Sequence, residues 1–245
     1  MAANRTRLLI VAGVAVLVAA AGLAFSVQRS RLAARLVSTP AESTPADPTL
    51  VKFAHQIAAP VYASNCARCH GADMKGSQVL GAPSLVDNVW LYDQGRVSDI
   101  ERTILYGVRS GHAKSHNITD MPAVGRLGVL NRGEIYQVVQ YVLQISHRPA
   151  DAAMAEKGKA LFKDKGNCFD CHAPDGTGNP DYGSADLTAN VWTYGGDTAS
   201  LFKSIRDGRH GKMDAYIDKL SPTQIRALAL DIYSRSHKVQ QVAAR

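Results

Sequence analysis

Leu8 to Val27 is a run of twenty residues without a charge, rich in Ala, Val and Leu. As a helix it spans about 30 Å, enough to cross a hydrocarbon core. Arg5 and Arg7 precede it and Arg29, Arg31 and Arg35 follow, so flanking charge does not set its orientation. The pattern predicts a membrane anchor within residues 1–30. The alternative is a cleaved signal peptide, with Gly22 and Ala24 as the small residues before a cut, but a signal core is typically about 7–15 residues long. From Ser38 to Thr49 (STPAESTPADPT) the apolar period vanishes. Residues 31–50 therefore read as an extended Pro/Ser/Thr-rich tether.

Helical periodicity returns further on. Ile135, Val138, Val139, Val142 and Leu143 fall at i, i+3, i+4, i+7 and i+8, one apolar stripe, and Ile225, Leu228, Ala229, Ile232 and Tyr233 repeat it. Ser221-Pro222-Thr223-Gln224 is a capping box with Pro at the first helical position, and Asn131 with Glu134 makes the matching start. Two further helices, each preceding a Cys-x-x-Cys-His motif, are marked by Phe53, Ile57 and Val61, despite Pro60 among them, and by Met154, Leu161 and Phe162. No stretch alternates as a strand would. The fold class is all-α.

These elements occur twice. An offset of 102 carries Cys66 onto Cys168 and Asn88-Val89-Trp90-Leu91-Tyr92 onto Asn190-Val191-Trp192-Thr193-Tyr194; an offset of 90 carries Leu130 onto Leu220, Ile135 onto Ile225 and His147 onto His237. The first copy holds the extra residues around Gly111 to Thr119. The chain thus reads as a duplicated domain, 51–148 and 149–237, with a polar tail at 238–245 expected to be disordered.

Each copy carries Cys-x-x-Cys-His: Cys66-Ala67-Arg68-Cys69-His70 and Cys168-Phe169-Asp170-Cys171-His172. Two thiols across one short turn reach the two vinyl groups of a porphyrin, and the next residue offers its imidazole to the iron. A zinc site of paired knuckles would bring them within about 15–20 residues of each other, and a thioredoxin-like pair does not require the His. The motifs use all four cysteines, so the sequence calls for two covalently attached haem c groups.

A haem with only a proximal His binds gases or peroxide; a second strong ligand closes it for electron transfer, and Met raises the potential. Met121 and Met213 lie at matched positions before the last helix of each copy and are the candidate axial ligands beside His70 and His172. Met74 is too close to its attachment loop to reach the far face, and Met154 reads as a packing residue. His112, His116 and His210 are rival ligands. Trp90 and Trp192, equally spaced from the cysteines, are expected to pack beside the porphyrin with the indole N–H meeting a polar partner.

Formal net charge is +7. Its excess sits in the N-terminal segment while both haem regions are near neutral, which argues against nucleic-acid binding. No nucleophile or acid–base pair is evident, so no catalysis is expected of the chain alone.

Both halves resemble the haem domains of the dihaem cytochrome c subunit (subunit III) of cbb3-type cytochrome c oxidases. The match is carried by Asn65 to Asp73, Gly76, Pro83-Ser84-Leu85 and Trp90-Leu91-Tyr92, and in the second half by Cys168 to His172, Pro174-Asp175-Gly176, Trp192 and Gly208-Arg209 before Met213. Asp214 stands where the family usually has Pro. The resemblance implies tandem class I cytochrome c folds, His/Met ligation with His70 beside Met121 and His172 beside Met213, and electron relay toward a haem-copper oxidase core among other respiratory-chain subunits. Whether each Met serves its own haem or its neighbour's stays open at this point. A donor cytochrome c or a quinol-oxidising complex would supply the electrons. Covalent haem attachment takes place outside the bacterial cytoplasm, which would put the haem domains in the periplasm on a single-pass inner-membrane anchor. Other readings are a free-standing tethered shuttle, the electron-transfer subunit of a periplasmic dehydrogenase or, with an open iron, a haem peroxidase or gas sensor.

Overall fold

The computed structural model describes residues 2–117 and 119–243. Its helices are α1 (Ala2–Ser38), a 3₁₀ turn (Ala41–Ala46), α2 (Pro48–Asn65), α3 (Ala67–His70), α4 (Val97–Tyr106), α5 (Arg132–Ile145), α6 (Ala152–Lys163), α7 (Phe169–His172), α8 (Thr198–Asp207) and α9 (Pro222–Ala243). Among the described residues there are no strands, only isolated bridges.

From Ala12 to Ser38, α1 is long and apolar enough to cross a membrane, with a mean hydropathy of 1.6. Gly22 and Ala24, the small residues of the signal-peptide alternative, lie inside this unbroken helix. The extended tether expected at 31–50 is not what the structure holds. Helix α1 continues to Ser38, the 3₁₀ turn follows, and Leu36, Thr44 and Leu50 are fully buried. Side chains that pattern reading counted as spacer make the joint. Asp47 accepts from the N–H groups of Thr49 and Leu50 to cap α2 and also pairs with Arg35. Glu42 accepts from Val97 and Ser98 at the start of α4. Arg226 of α9 pairs with Glu101 of α4 at 2.6 Å and donates to the Leu36 and Thr39 carbonyls at the end of α1. The orphan carbonyls that end a helix are met here by a side chain from the far end of the sequence.

That contact reflects how the halves are packed. One core joins α2 and α4 to α9: Leu50, Phe53, Ala54, Val97, Ile100 and Ile104 against Ile225, Leu228, Ala229 and Ile232. The other joins α5 to α6 and α8: Ile135, Val138, Val139 and Val142 against Phe162, Leu201 and Ile205. The apolar stripes expected on α5 and α9 are real, and both capping boxes form, Asn131 with Glu134 and Ser221 with Gln224. Each stripe is buried in the opposite repeat. The boundary near residue 148 divides the sequence repeat but not the packing, because the two copies exchange their last helices.

The helix expected over Phe53, Ile57 and Val61 forms, and α2 runs through Pro60 to Asn65. Two smaller expectations differ. Met154 lies on α6 but faces solvent. Helix α9 continues through the expected tail to Ala243, and the last two residues lie outside the described ones.

The tightest crossing of α5 and α6 depends on Gly158, where a Cβ would come within 1.9 Å of the Gln137 carbonyl oxygen. Since a backbone atom cannot swing aside, Gly158→Ala is expected to force the helices apart at a cost of about 1–3 kcal/mol. Urea unfolding of the purified protein checks it; an unshifted midpoint would contradict the close approach.

Candidate haem sites

The attachment motifs occupy equivalent short helices. In α3 the His70 N–H bonds the Cys66 carbonyl at 2.9 Å, and in α7 the His172 N–H bonds that of Cys168 at 2.9 Å. The chain then turns back to orient each imidazole. His70 donates from Nδ1 to the Pro83 carbonyl at 2.9 Å, and His172 to the Ala185 carbonyl, also at 2.9 Å. The loops between repeat bond for bond: Gly76 N–H to the His70 carbonyl and Gly178 N–H to that of His172, Leu85 N–H to Met74 and Leu187 N–H to Gly176. Bonding Nδ1 to a carbonyl fixes the tautomer and leaves Nε2 with its lone pair outward. Burial holds both imidazoles below their usual pKa, and therefore neutral, the form that ligates a metal. Cys66 and Cys168 are buried enough that their thiols are pushed up to about 11. All four cysteines are free and half-buried. Two thiols beside an oriented, neutral imidazole fit haem c at each motif.

The structure carries each Met across to the other repeat. After α4, Gly107 turns the chain with a positive φ and Val108 pairs with Met213, exchanging both backbone bonds at 2.9 Å. After α8, Gly208 turns it the same way and Arg209 pairs with Met121, exchanging bonds at 3.1 Å. A Cβ on Gly107 would lie 2.3 Å from the Met213 carbonyl oxygen, and one on Gly208 2.4 Å from that of Met121, so these crossings admit only glycine. Tyr216, three residues after Met213, donates its hydroxyl to the Asn65 carbonyl just before Cys66, at 3.0 Å. Five residues after Met121, Arg126 donates its N–H to the Arg206 carbonyl and its side chain to Asp207. Met213 thus packs in the core that contains Cys66 and Ala67, and Met121 in the core that contains Cys168 and Phe169. In space, Met213 shares a core with the first attachment motif and Met121 with the second, the opposite of their order along the chain.

Trp90 packs against the first core and Trp192 against the second, and each leans on a glycine, Gly95 and Gly196. The Trp192 N–H finds Asn190 at 3.4 Å. Met74, with a positive φ in the first loop, is buried in the core. The rival histidines are engaged elsewhere. His112 stacks on Tyr106 and accepts the Lys114 N–H, and His210 donates to Asp120 at 2.6 Å. His116 is buried, stacked on Tyr92 with 4.2 Å between ring centroids, and 3.1 Å from the Thr103 hydroxyl.

Two residues escaped sequence reasoning. Tyr92 lies against Gly183 of the second loop, and Tyr194 against Gly81 of the first, so each crosses to the opposite attachment loop. Their only signal was equal spacing in the repeat. Tyr194 is covered by the Arg209 guanidinium, 4.1 Å from its ring centroid, as Tyr92 is by His116.

His116 also sets a pH response. Burial holds its imidazole below the usual value and the Arg102 guanidinium adds to this, while Asp93, 3.6 Å away, and Asp99 oppose it. The unfolded chain therefore takes up this proton first as pH falls. Stability is complete above about pH 6.5 and declines as pH drops toward the lower folded value. Melting temperatures of the haem-loaded protein between pH 7 and 5 are expected to fall, and less steeply in His116→Asn. Parallel curves would remove His116 as the cause.

Two segments, 54–142 and 153–230, match the family described as cytochrome C oxidase, cbb3-type, subunit III. The chain is 36% identical to the cbb3-type cytochrome c oxidase subunit CcoP of Cereibacter sphaeroides, over 86% of this chain and 71% of that protein. It is 37% identical to the subunit FixP of Azorhizobium caulinodans, over 84% of this chain and 68% of that one. The FixP of Bradyrhizobium diazoefficiens is 40% identical over 77% of this chain and 63% of its own length. With a membrane-length helix at its N-terminus and attachment motifs in both halves, the chain belongs to the cbb3-type cytochrome c oxidase subunit III family and is a membrane-anchored, haem-c-binding cytochrome.

Proposed function

We propose that the chain relays electrons between two covalently attached haem c groups to the haem-copper core of a cbb3-type oxidase, from a donor cytochrome c or a quinol-oxidising complex. The haem domains stand in the periplasm and α1 crosses the inner membrane. Bound haem c supplies an iron that changes between ferric and ferrous. Cys66 and Cys69 would hold one group, with His70 and Met213 as its ligands; Cys168 and Cys171 would hold the other, with His172 and Met121. Burial keeps both histidines neutral, and the Nδ1–H bonds to the Pro83 and Ala185 carbonyls fix which nitrogen is left free. The methionine thioether would favour the ferrous state and would close the iron to gases.

The reciprocal crossing of the ligand loops carries this reading. Each site needs residues from both repeats, so neither can open or drift without moving the other. Tyr92 and Tyr194 pack the attachment loops against each other along the same seam, and such rigidity suits electron transfer, which requires little rearrangement. The docked joint at Leu36 to Leu50 holds the first site at a set height above the membrane.

The test is a native gel of gently solubilised membranes stained for haem and for oxidase activity. The chain is expected to co-migrate with a large oxygen-reducing band, identified by mass spectrometry. Migration alone, or with a dehydrogenase, would overturn the assignment to an oxidase.

A further inference from the structure

A groove of about 490 Å³ opens where α1 meets the first haem unit, between α1, α2 and the start of α9. Its apolar lining includes Ala33, Phe53 and Ile57, and its polar lining includes Arg29, Gln56 and Thr223. We propose that this groove binds one anionic phospholipid, its headgroup phosphate at Arg29 and the first carbons of its chains against Phe53 and Ile57.

Four observations carry the assignment. First, Arg29 comes two residues after Val27, where the charge-free run ends. Headgroup phosphates sit at that depth, so the guanidinium lies level with them. Second, Arg29 is uncommitted. Arg35 is paired with Asp47 and Arg226 with Glu101, whereas the guanidinium of Arg29 has no carboxylate within ion-pair distance among the described residues and rests over the Phe53 ring at 5.9 Å. No Asp or Glu lines the groove. Third, α9 opens into it. The capping box uses the N–H groups of Ser221 and Gln224, and Pro222 has none. The Thr223 N–H has no protein acceptor among the described residues, which leaves a donor and the positive end of a long helix beside Arg29. Fourth, the lining is divided as a glycerophospholipid is, with charged and hydrogen-bonding groups beside a hydrocarbon surface. A bidentate guanidinium suits a phosphate.

Binding here would seat a lipid beneath the first haem unit and brace the joint that Arg226 and Glu42 make from above. The proposal needs the membrane anchor but not the electron relay, so the two fail separately.

The test is native mass spectrometry of the haem-loaded full chain, titrated in mild detergent with phosphatidylglycerol and with phosphatidylcholine. One phosphatidylglycerol per chain is expected to be retained in preference to phosphatidylcholine. Arg29→Gln is expected to weaken that retention roughly fivefold, the effect of one basic residue at an anionic surface. Arg31→Gln, on the same helix but outside the groove, should leave it unchanged. Unaltered retention in Arg29→Gln, an equal loss in Arg31→Gln, or equal binding of phosphatidylcholine would each overturn the site. So would a photo-crosslinker at Gln56 that captures a polypeptide instead of lipid in intact membranes.

Discussion

In a chain reduced to its first attachment motif by Cys168→Ser and Cys171→Ser, Met213→Ala is expected to create an iron that binds carbon monoxide, and Met121→Ala is not. The reciprocal chain, with Cys66→Ser and Cys69→Ser, should respond to Met121→Ala alone. The effect is all-or-none, one equivalent of carbon monoxide against none, because a haem that loses its thioether exposes its sixth position. The reasoning rests on the crossed backbone pairs, Val108 with Met213 and Arg209 with Met121, and on the Tyr216 hydroxyl that ties the Met213 loop to Asn65 beside Cys66. Difference spectra of the reduced protein with and without the gas give the answer. If Met121→Ala opened the iron of the first motif, the exchanged arrangement would be wrong, and the pairing implied by order along the chain would stand.

The second large effect concerns the last helix. Leu228 on α9 is fully buried against α2 and α4. Leu228→Ala removes three buried carbons and leaves a cavity, a change that costs about 2–5 kcal/mol in comparable cores. Its location distinguishes this packing from one in which α9 completes the second repeat. Hydrogen exchange is expected to quicken in α2, Leu50 to Asn65, and in α4, while α6 and α8 keep their protection. The polar clamp beside it, in which Asp231 of α9 meets His55 of α2 at 2.9 Å and is held by Arg235 one turn along α9 at 2.9 Å, joins α2 to α9 and should loosen with them. Faster exchange confined to α6 and α8 would reverse the assignment of cores.

Local pattern settled a good deal. The all-α class, the duplicated unit, the stripes on α5 and α9, both capping boxes and the membrane-length helix all depend on neighbours within a few turns, so period, cap chemistry and the absence of charge were enough to find them. The attachment motifs are equally local, because two thioethers and one imidazole must reach a single porphyrin from one turn of helix. What the chain order could not reveal is which stripe meets which. The apolar faces of α5 and α9 are near copies, each able to complete either repeat, and the choice falls to Gly107 and Gly208, whose positive φ angles send the backbone across the molecule. The tether misled for a related reason: STPAESTPADPT has no period of its own, yet Glu42 reaches the start of α4 far away in sequence, Asp47 caps α2 once the chain turns, and Thr44 is buried with its hydroxyl on the Ala41 carbonyl. The sequence by itself determined what each haem unit is made of; the tertiary structure alone decided which residues share a unit, since identical local rules make two equivalent halves, and only long-range packing selects between keeping their parts and exchanging them.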